Sequence, residues 1–151
     1  MFQVKILLHP TDFSEYSDEA HAIACEMARD HKARLVVLHV TDKPVISYIE
    51  KSSELNPDQI QQKLWETLQW PRVKEADLNV EHRITEGDAL TQILSVAKEI
   101  GCHLIVMGSS GRKGLFAWFT NSVTEQVDPL APCSILVVKS LEVQDESYPR
   151  T

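Results

Sequence analysis

The segment Met107-Gly108-Ser109-Ser110-Gly111-Arg112-Lys113-Gly114 has the residue types to hold a phosphate group. Asn121-Ser122-Val123-Thr124-Glu125 follows after a short gap. Before it, Leu104-Ile105-Val106-Met107 is continuously apolar and reads as a buried strand. From Ser122 the chain reads as the start of a helix. A strand that ends in glycine, then a loop, then a helix N-terminus lets backbone N–H groups approach an anion closely. The helix end adds unpaired N–H groups and a favourable dipole. Arg112 and Lys113 add positive charge to an acidic chain. Ser122-Val123-Thr124-Glu125 also has the form of a capping box, so a cap and a phosphate contact are both open to Ser122. Asp12, in His9-Pro10-Thr11-Asp12, is either a turn residue or a ligand carboxylate. His9 and His39 fall at the ends of neighbouring strands, but no third ligand stands at a recognisable metal spacing.

The elements that must position these residues alternate between strand and helix. Gln3 to Leu8 reads as a strand that His9-Pro10-Thr11-Asp12 ends, because proline cannot continue a central ladder. Ser14 or Ser17 can cap the helix that follows. Its stripe of Ala20, Ile23, Ala24, Met27 and Ala28 is small enough to lie close to a sheet. Arg34 to Val40 holds Leu35-Val36-Val37-Leu38, the run expected of a strand covered on both faces. Residues 41–56 read as a long loop. Asn56-Pro57-Asp58-Gln59 supplies a cap, a proline at the first helical position and a glutamine three residues on. Ile60, Leu64 and Leu68 mark that helix's inner face, and Trp65 and Trp70 are expected to be partly buried. Trp70-Pro71 ends or kinks the helix. Asn79 to Thr85 reads as a third strand with Val80, His82 and Ile84 on one face. A helix follows Gly87-Asp88 with Leu90, Ile93, Leu94, Ala97 and Ile100 inward, and Gly101 stands just past its end. Cys133 to Val138 is the last strand. Residues 1–139 are expected to form one domain and 140–151 a polar tail.

Five strands alternating with helices predict an α/β fold: one doubly wound domain with a parallel sheet and helices on both faces. Ligands of such folds bind outside the strand C-terminal ends, where strand order reverses. That places attention on Asp12, Val40 and the loop after Gly108.

The chain has 151 residues, 43% hydrophobic and 25% charged, which suits one globular domain. Its net charge of −7 argues against nucleic acid or an anionic membrane as a main partner. No apolar run has the length of a membrane span, and Met1-Phe2-Gln3-Val4-Lys5 lacks the pattern of a signal peptide. Cytoplasmic residence is the expectation. Cys25, Cys102 and Cys133 fit neither a disulfide framework nor a zinc spacing, so buried free thiols are expected. Leu115-Phe116-Ala117-Trp118-Phe119 is unusually aromatic for a loop and reads as a packed lid, with a partner contact as the alternative.

The chain resembles the universal stress protein (UspA) family from Lys5 to Val138. The resemblance rests on Pro10-Thr11-Asp12-Phe13-Ser14, on Leu38-His39-Val40 and on the closing Ala131-Pro132-Cys133-Ser134-Ile135-Leu136-Val137-Val138. The nucleotide-binding branch has glycine, two residues, glycine, nine residues, glycine, then serine or threonine. Gly108, Gly111 and Ser122 match; Asn121 stands where the third glycine belongs. The resemblance implies strand order 3-2-1-4-5, a homodimer paired through residues 133–138, and ATP (or ADP or AMP) at the switch point, with magnesium as a companion of the phosphates. It implies that Asp12 and Val40 hold the adenosine and that Gly108, Gly111, Asn121 and Ser122 hold phosphate, with Pro10, Thr11, Met107, Arg112 and Val123 also among the nucleotide-binding residues. The expected role is a dimeric sensor or binding module in stress response rather than an enzyme, with at most weak ATPase activity, since Asp12 is the sole group placed to assist phosphoryl transfer. Two alternatives stand beside it: a slow nucleotide hydrolase on the same fold, and an interaction or chaperone-like protein that binds no nucleotide.

Overall fold

A computed structural model describes residues 3–13, 15–41, 51, 54–67, 73–108, 127 and 130–139. The elements are β1 (Ile6–Pro10), α1 (Glu15–His31), β2 (Arg34–Thr41), α2 (Pro57–Thr67), a 3-10 turn (Val73–Glu75), β3 (Val80–Glu86), α3 (Ala89–Ile100), β4 (Leu104–Gly108) and β5 (Ser134–Val138). All strand pairings are parallel, and the sheet order is β3-β2-β1-β4-β5. The doubly wound α/β architecture expected from the alternating elements is therefore the one observed.

Strand alternation sorts the core into two layers. Leu7, Leu35, Val37, Leu104 and Val106 point to one face, where they meet Ala20, Ala24 and Ala28 of α1 and Trp65 of α2. Leu8, Val36, Leu38, Val40, Ile105 and Met107 point to the other, against Ile93, Val96 and Ala97 of α3. The alanines of α1 are what let that helix sit close to the strands, as their spacing predicts. Trp65 is fully rather than partly buried.

Local signals place the helix ends. Asn56 Oδ1 accepts the Gln59 N–H at 2.9 Å while Gln59 Oε1 accepts the Asn56 N–H at 3.0 Å, the reciprocal cap that the sequence predicts. Asp88 caps α3 through the Thr91 N–H, and Gly101 ends it in the left-handed conformation (φ 62°), which glycine adopts without a Cβ clash. Beyond β4, Val127 and Leu130 are helical, and the Ala131 N–H donates to Val127 O at 2.8 Å. Ser122, where the predicted helix begins, and the rest of residues 109–126 lie outside the described residues.

Two expectations need correction. β1 runs from Ile6 to Pro10, not from Gln3 to Leu8, so His9 and Pro10 belong to the central strand. Proline is tolerated there for a geometric reason. The Thr11 N–H donates to Leu38 O on the β2 side, so alternation puts the missing Pro10 N–H on the β4 side, where the register ends at Leu8↔Ile105. Of the two cap candidates for α1, which begins at Glu15, Ser17 lies in the first turn with its hydroxyl bonded to Thr11, and Ser14 lies outside the described residues. Lys51 is helical within the stretch read as loop, and no apolar period announces it.

Candidate functional site

β1 lies between β2 and β4, and the chain leaves it in one direction for β2 and later returns on the other side at β4. Strand order reverses between β1 and β4, so their C-terminal ends frame the crevice in which ligands of this architecture sit. Asp12 stands two residues past the end of β1. Val40 is the penultimate residue of β2. Gly108 is the last residue of β4 and pairs with Val138. The topology thus brings Pro10, Thr11, Asp12, Val40, Met107 and Gly108 to one end of the sheet. Gly111, Arg112, Asn121, Ser122 and Val123 lie outside the described residues, as do the aromatic run 115–119, Trp70-Pro71 and the tail 140–151.

The residues at this end divide by what their side chains already do. Val40 and Met107 are buried in the α3-side core, so only their backbone groups are available to a ligand. Pro10 is buried as well. Thr11 is committed throughout. Its hydroxyl shares a 2.9 Å bond with Ser17 and accepts the Phe13 N–H at 3.0 Å, its N–H binds Leu38 O, and its carbonyl accepts His39 Nδ1–H at 2.8 Å. Thr11 therefore shapes the loop that presents Asp12. Asp12 is 6% exposed, a carboxylate buried just beyond β1 rather than in open solvent. Gly108 has no side chain to fill the space at the end of β4, and this is the property the phosphate reading asks of it.

The loop carries strain next to Asp12. Phe13 has φ 65°, a conformation that bulky residues adopt rarely. Its ring lies 4.3 Å from that of His39 and 5.7 Å from that of Trp65, so aromatic packing holds it there. Strain of this kind gathers at functional loops when the surroundings over-determine it.

The histidines are structural. His9 is fully buried at the end of β1, donates Nδ1–H to Val106 O at 2.9 Å and thereby ties β1 to β4. This leaves Nε2 without a hydrogen-bond partner. Burial pushes its pKa down to about 4, so the ring stays neutral at physiological pH. Burial also lowers His39, opposed by its bond to Thr11 O. Among the described residues no group of histidine, cysteine, aspartate and glutamate has the arrangement of a metal site.

Sequence reasoning missed a buried polar cluster behind the site. His21 and His82 both direct Nε2 at the Glu75 carboxylate, at 3.0 Å and 2.7 Å, and the His21 ring lies 5.6 Å from that of His9. The cluster joins α1, the 3-10 turn and β3. No local signal announces it, because its members are scattered and only the fold assembles them. A cleft of about 550 Å³ between α2 and β3, lined in part by Asp58, Gln61, His82 and Arg83, lies at the β3 edge of the sheet rather than at the β1–β4 crevice. Among the described residues no helix is long and apolar enough to cross a membrane.

The sheet order defines a doubly wound α/β protein, with Asp12 and Gly108 at the end of the sheet where the strand order reverses. A family model described as the universal stress protein family matches residues 3–139, and the chain belongs to that family. It is 31% identical over 139 residues to a universal stress protein of Methanocaldococcus jannaschii, covering 89% of this chain and 82% of that one. It superposes on UspA from Lactobacillus plantarum with a TM-score of 0.62 at 23% identity, covering 91% and 99% of the two chains. It also superposes on a universal stress protein family member from Arabidopsis thaliana with AMP bound, with a TM-score of 0.57 at 15% identity over 95% and 97%.

Proposed function

We propose that this chain binds an adenine nucleotide, ATP or its ADP and AMP forms, and acts in stress response as a dimeric sensor or binding module in the cytoplasm. One observation carries the reading. Asp12 and Gly108, both singled out from sequence, stand at the C-terminal ends of adjacent strands where the sheet order reverses. The AMP named with the Arabidopsis relative is in keeping with it.

Under this reading Asp12 and the backbone at Val40 hold the adenosine. Gly108, Gly111, Arg112, Asn121, Ser122 and Val123 surround the phosphates. A magnesium ion would join chiefly through the phosphate oxygens, the ligands such ions favour. Binding rather than turnover is the favoured role. His9 and His39 each spend Nδ1 on a backbone carbonyl, and Thr11 spends its hydroxyl on the loop, so the neighbours of Asp12 are engaged in structure. The dimer would form along β5, an edge strand whose Leu136 and Val137 are exposed.

The test is to incubate the purified protein with AMP, ADP and ATP, remove free ligand, denature, and identify what is released by mass spectrometry. Stoichiometric recovery of at least one of the three supports the reading. Recovery at the level of a non-binding control overturns it.

A further inference from the structure

Cys102 and Cys133 are 31 positions apart, yet their sulfurs lie 3.3 Å from each other. Cys102 is buried just before β4, and Cys133 is half-buried immediately before β5. The pairing of Leu104 with Ser134 fixes the two backbones side by side, and the Cys102 N–H is anchored on Ala97 O at 3.2 Å. A disulfide needs the sulfurs at about 2.05 Å, so closure asks for an approach of about 1 Å, within reach of side-chain rotation.

We propose that Cys102 and Cys133 form a redox modification site, a dithiol that closes to an intramolecular disulfide under a two-electron oxidant such as hydrogen peroxide. Cys133, half-buried where Cys102 is buried, is the more exposed thiol of the pair in the single chain. Its sulfur attacks one peroxide oxygen, the O–O bond breaks, and the departing hydroxide leaves as water with the thiol's proton. Cys133 is then a sulfenic acid. The Cys102 sulfur attacks the Cys133 sulfur, the S–O bond breaks, and a second water leaves with the Cys102 proton. Two thiols and one peroxide become one disulfide and two waters, and a thiol reductant reverses the change.

The surroundings assign the two roles. Burial pushes both thiols up, and the hydrogen bond between them favours the thiolate on Cys133, the attacking sulfur. Thiolate is scarce at neutral pH, so the pair responds slowly and faster as pH rises. Cys25 does not compete, because it lies in the core on the other face of the sheet. The bond closes a loop that contains β4, residues 109–126 and the helical turn at Val127, and it fastens the outermost strand to its neighbour.

The experiment treats the full chain with hydrogen peroxide, alkylates the remaining thiols under denaturing conditions, and maps the peptides by mass spectrometry. Expected are a mass lower by two hydrogens, one alkylated thiol at Cys25, a linked Cys102–Cys133 peptide, and a thermal midpoint raised by several degrees, all reversed by dithiothreitol. Cys133→Ser should show no linked peptide and no rise in midpoint while keeping the reduced protein's midpoint, and Cys25→Ser should show the linked peptide and the raised midpoint with no thiol left to alkylate. Three alkylated thiols after prolonged exposure overturn the proposal. So does Cys133 oxidised to sulfinate without a bond, or a bond formed between two chains.

Discussion

Gln61 completes the outer edge of β3 at Ile84. Its Nε2–H donates to Ile84 O at 2.8 Å and its Oε1 accepts the Ile84 N–H at 2.7 Å. A side-chain amide thus takes the place of a peptide group from a further strand. The sheet's two edges are therefore unlike: β3 is closed at this point by α2, whereas β5 carries exposed apolar side chains. Blocking an edge in this way discourages pairing with another chain.

Gln61→Ala removes both bonds at once. The expected cost is about 2 kcal/mol of unfolding free energy, the scale of two hydrogen bonds to half-buried backbone groups. Urea unfolding of the two proteins measures it, and an unchanged midpoint would show that water replaces the amide without loss.

At the opposite edge, Leu136 is 36% and Val137 39% exposed. A dimer along β5 should be broken by Leu136→Lys, which sets two like charges at the interface while leaving the far side of the strand unaltered. Sedimentation should give a dimer for the wild type and a folded monomer for the variant. A wild type that sediments as a monomer at micromolar concentration removes this part of the account.

Acid should weaken the fold through His9. Its folded pKa of about 4 lies below the ordinary histidine value of 6.5, so between these limits the unfolded chain binds a proton that the native chain does not. Stability is then fully present above pH 6.5 and lost as pH falls toward 4, by roughly 3 kcal/mol from this group. His9→Asn keeps a donor for Val106 O without the titration. Its unfolding free energy should fall less steeply across this range than the wild type's, and parallel curves would rule His9 out as the cause.

The parts of the molecule that were legible in its sequence are those governed by local rules. The alanine stripe of α1, the Asn56–Gln59 cap, the Gly101 stop and the apolar runs of β2 and β4 each depend on neighbours within a turn or on burial of a whole strand. Asp12 and Gly108 were legible as candidates because the switch-point rule follows from strand order. What was not legible depends on residues far apart in the chain. Pro10 could be read as a strand breaker until the β4 register showed where its missing N–H falls. The partnership of Glu75 with His21 and His82, and the meeting of Cys102 with Cys133, exist only once the sheet order is known.

Asn121 is the point at which the phosphate-type pattern departs from glycine. If its side chain crowds the distal phosphates, Asn121→Gly should tighten ATP binding and leave AMP binding nearly unchanged. The added backbone freedom of glycine should lower the ligand-free midpoint slightly, in keeping with a few tenths of a kcal/mol. Calorimetric titration of both proteins decides the matter: equal or weaker ATP affinity in the variant means that Asn121 is not an obstruction.

The central claim is that the β1–β4 crevice holds an adenine nucleotide, and calorimetric titration of AMP, ADP and ATP into the wild type and Asp12→Asn tests it most directly. Saturable binding of at least one nucleotide, one per chain, is expected, with a loss of about tenfold or more in the Asp12 variant, equivalent to roughly 1.4 kcal/mol. Absence of binding heat and of any shift in unfolding midpoint with all three nucleotides at millimolar concentration would contradict it, and so would binding that is indifferent to Asp12.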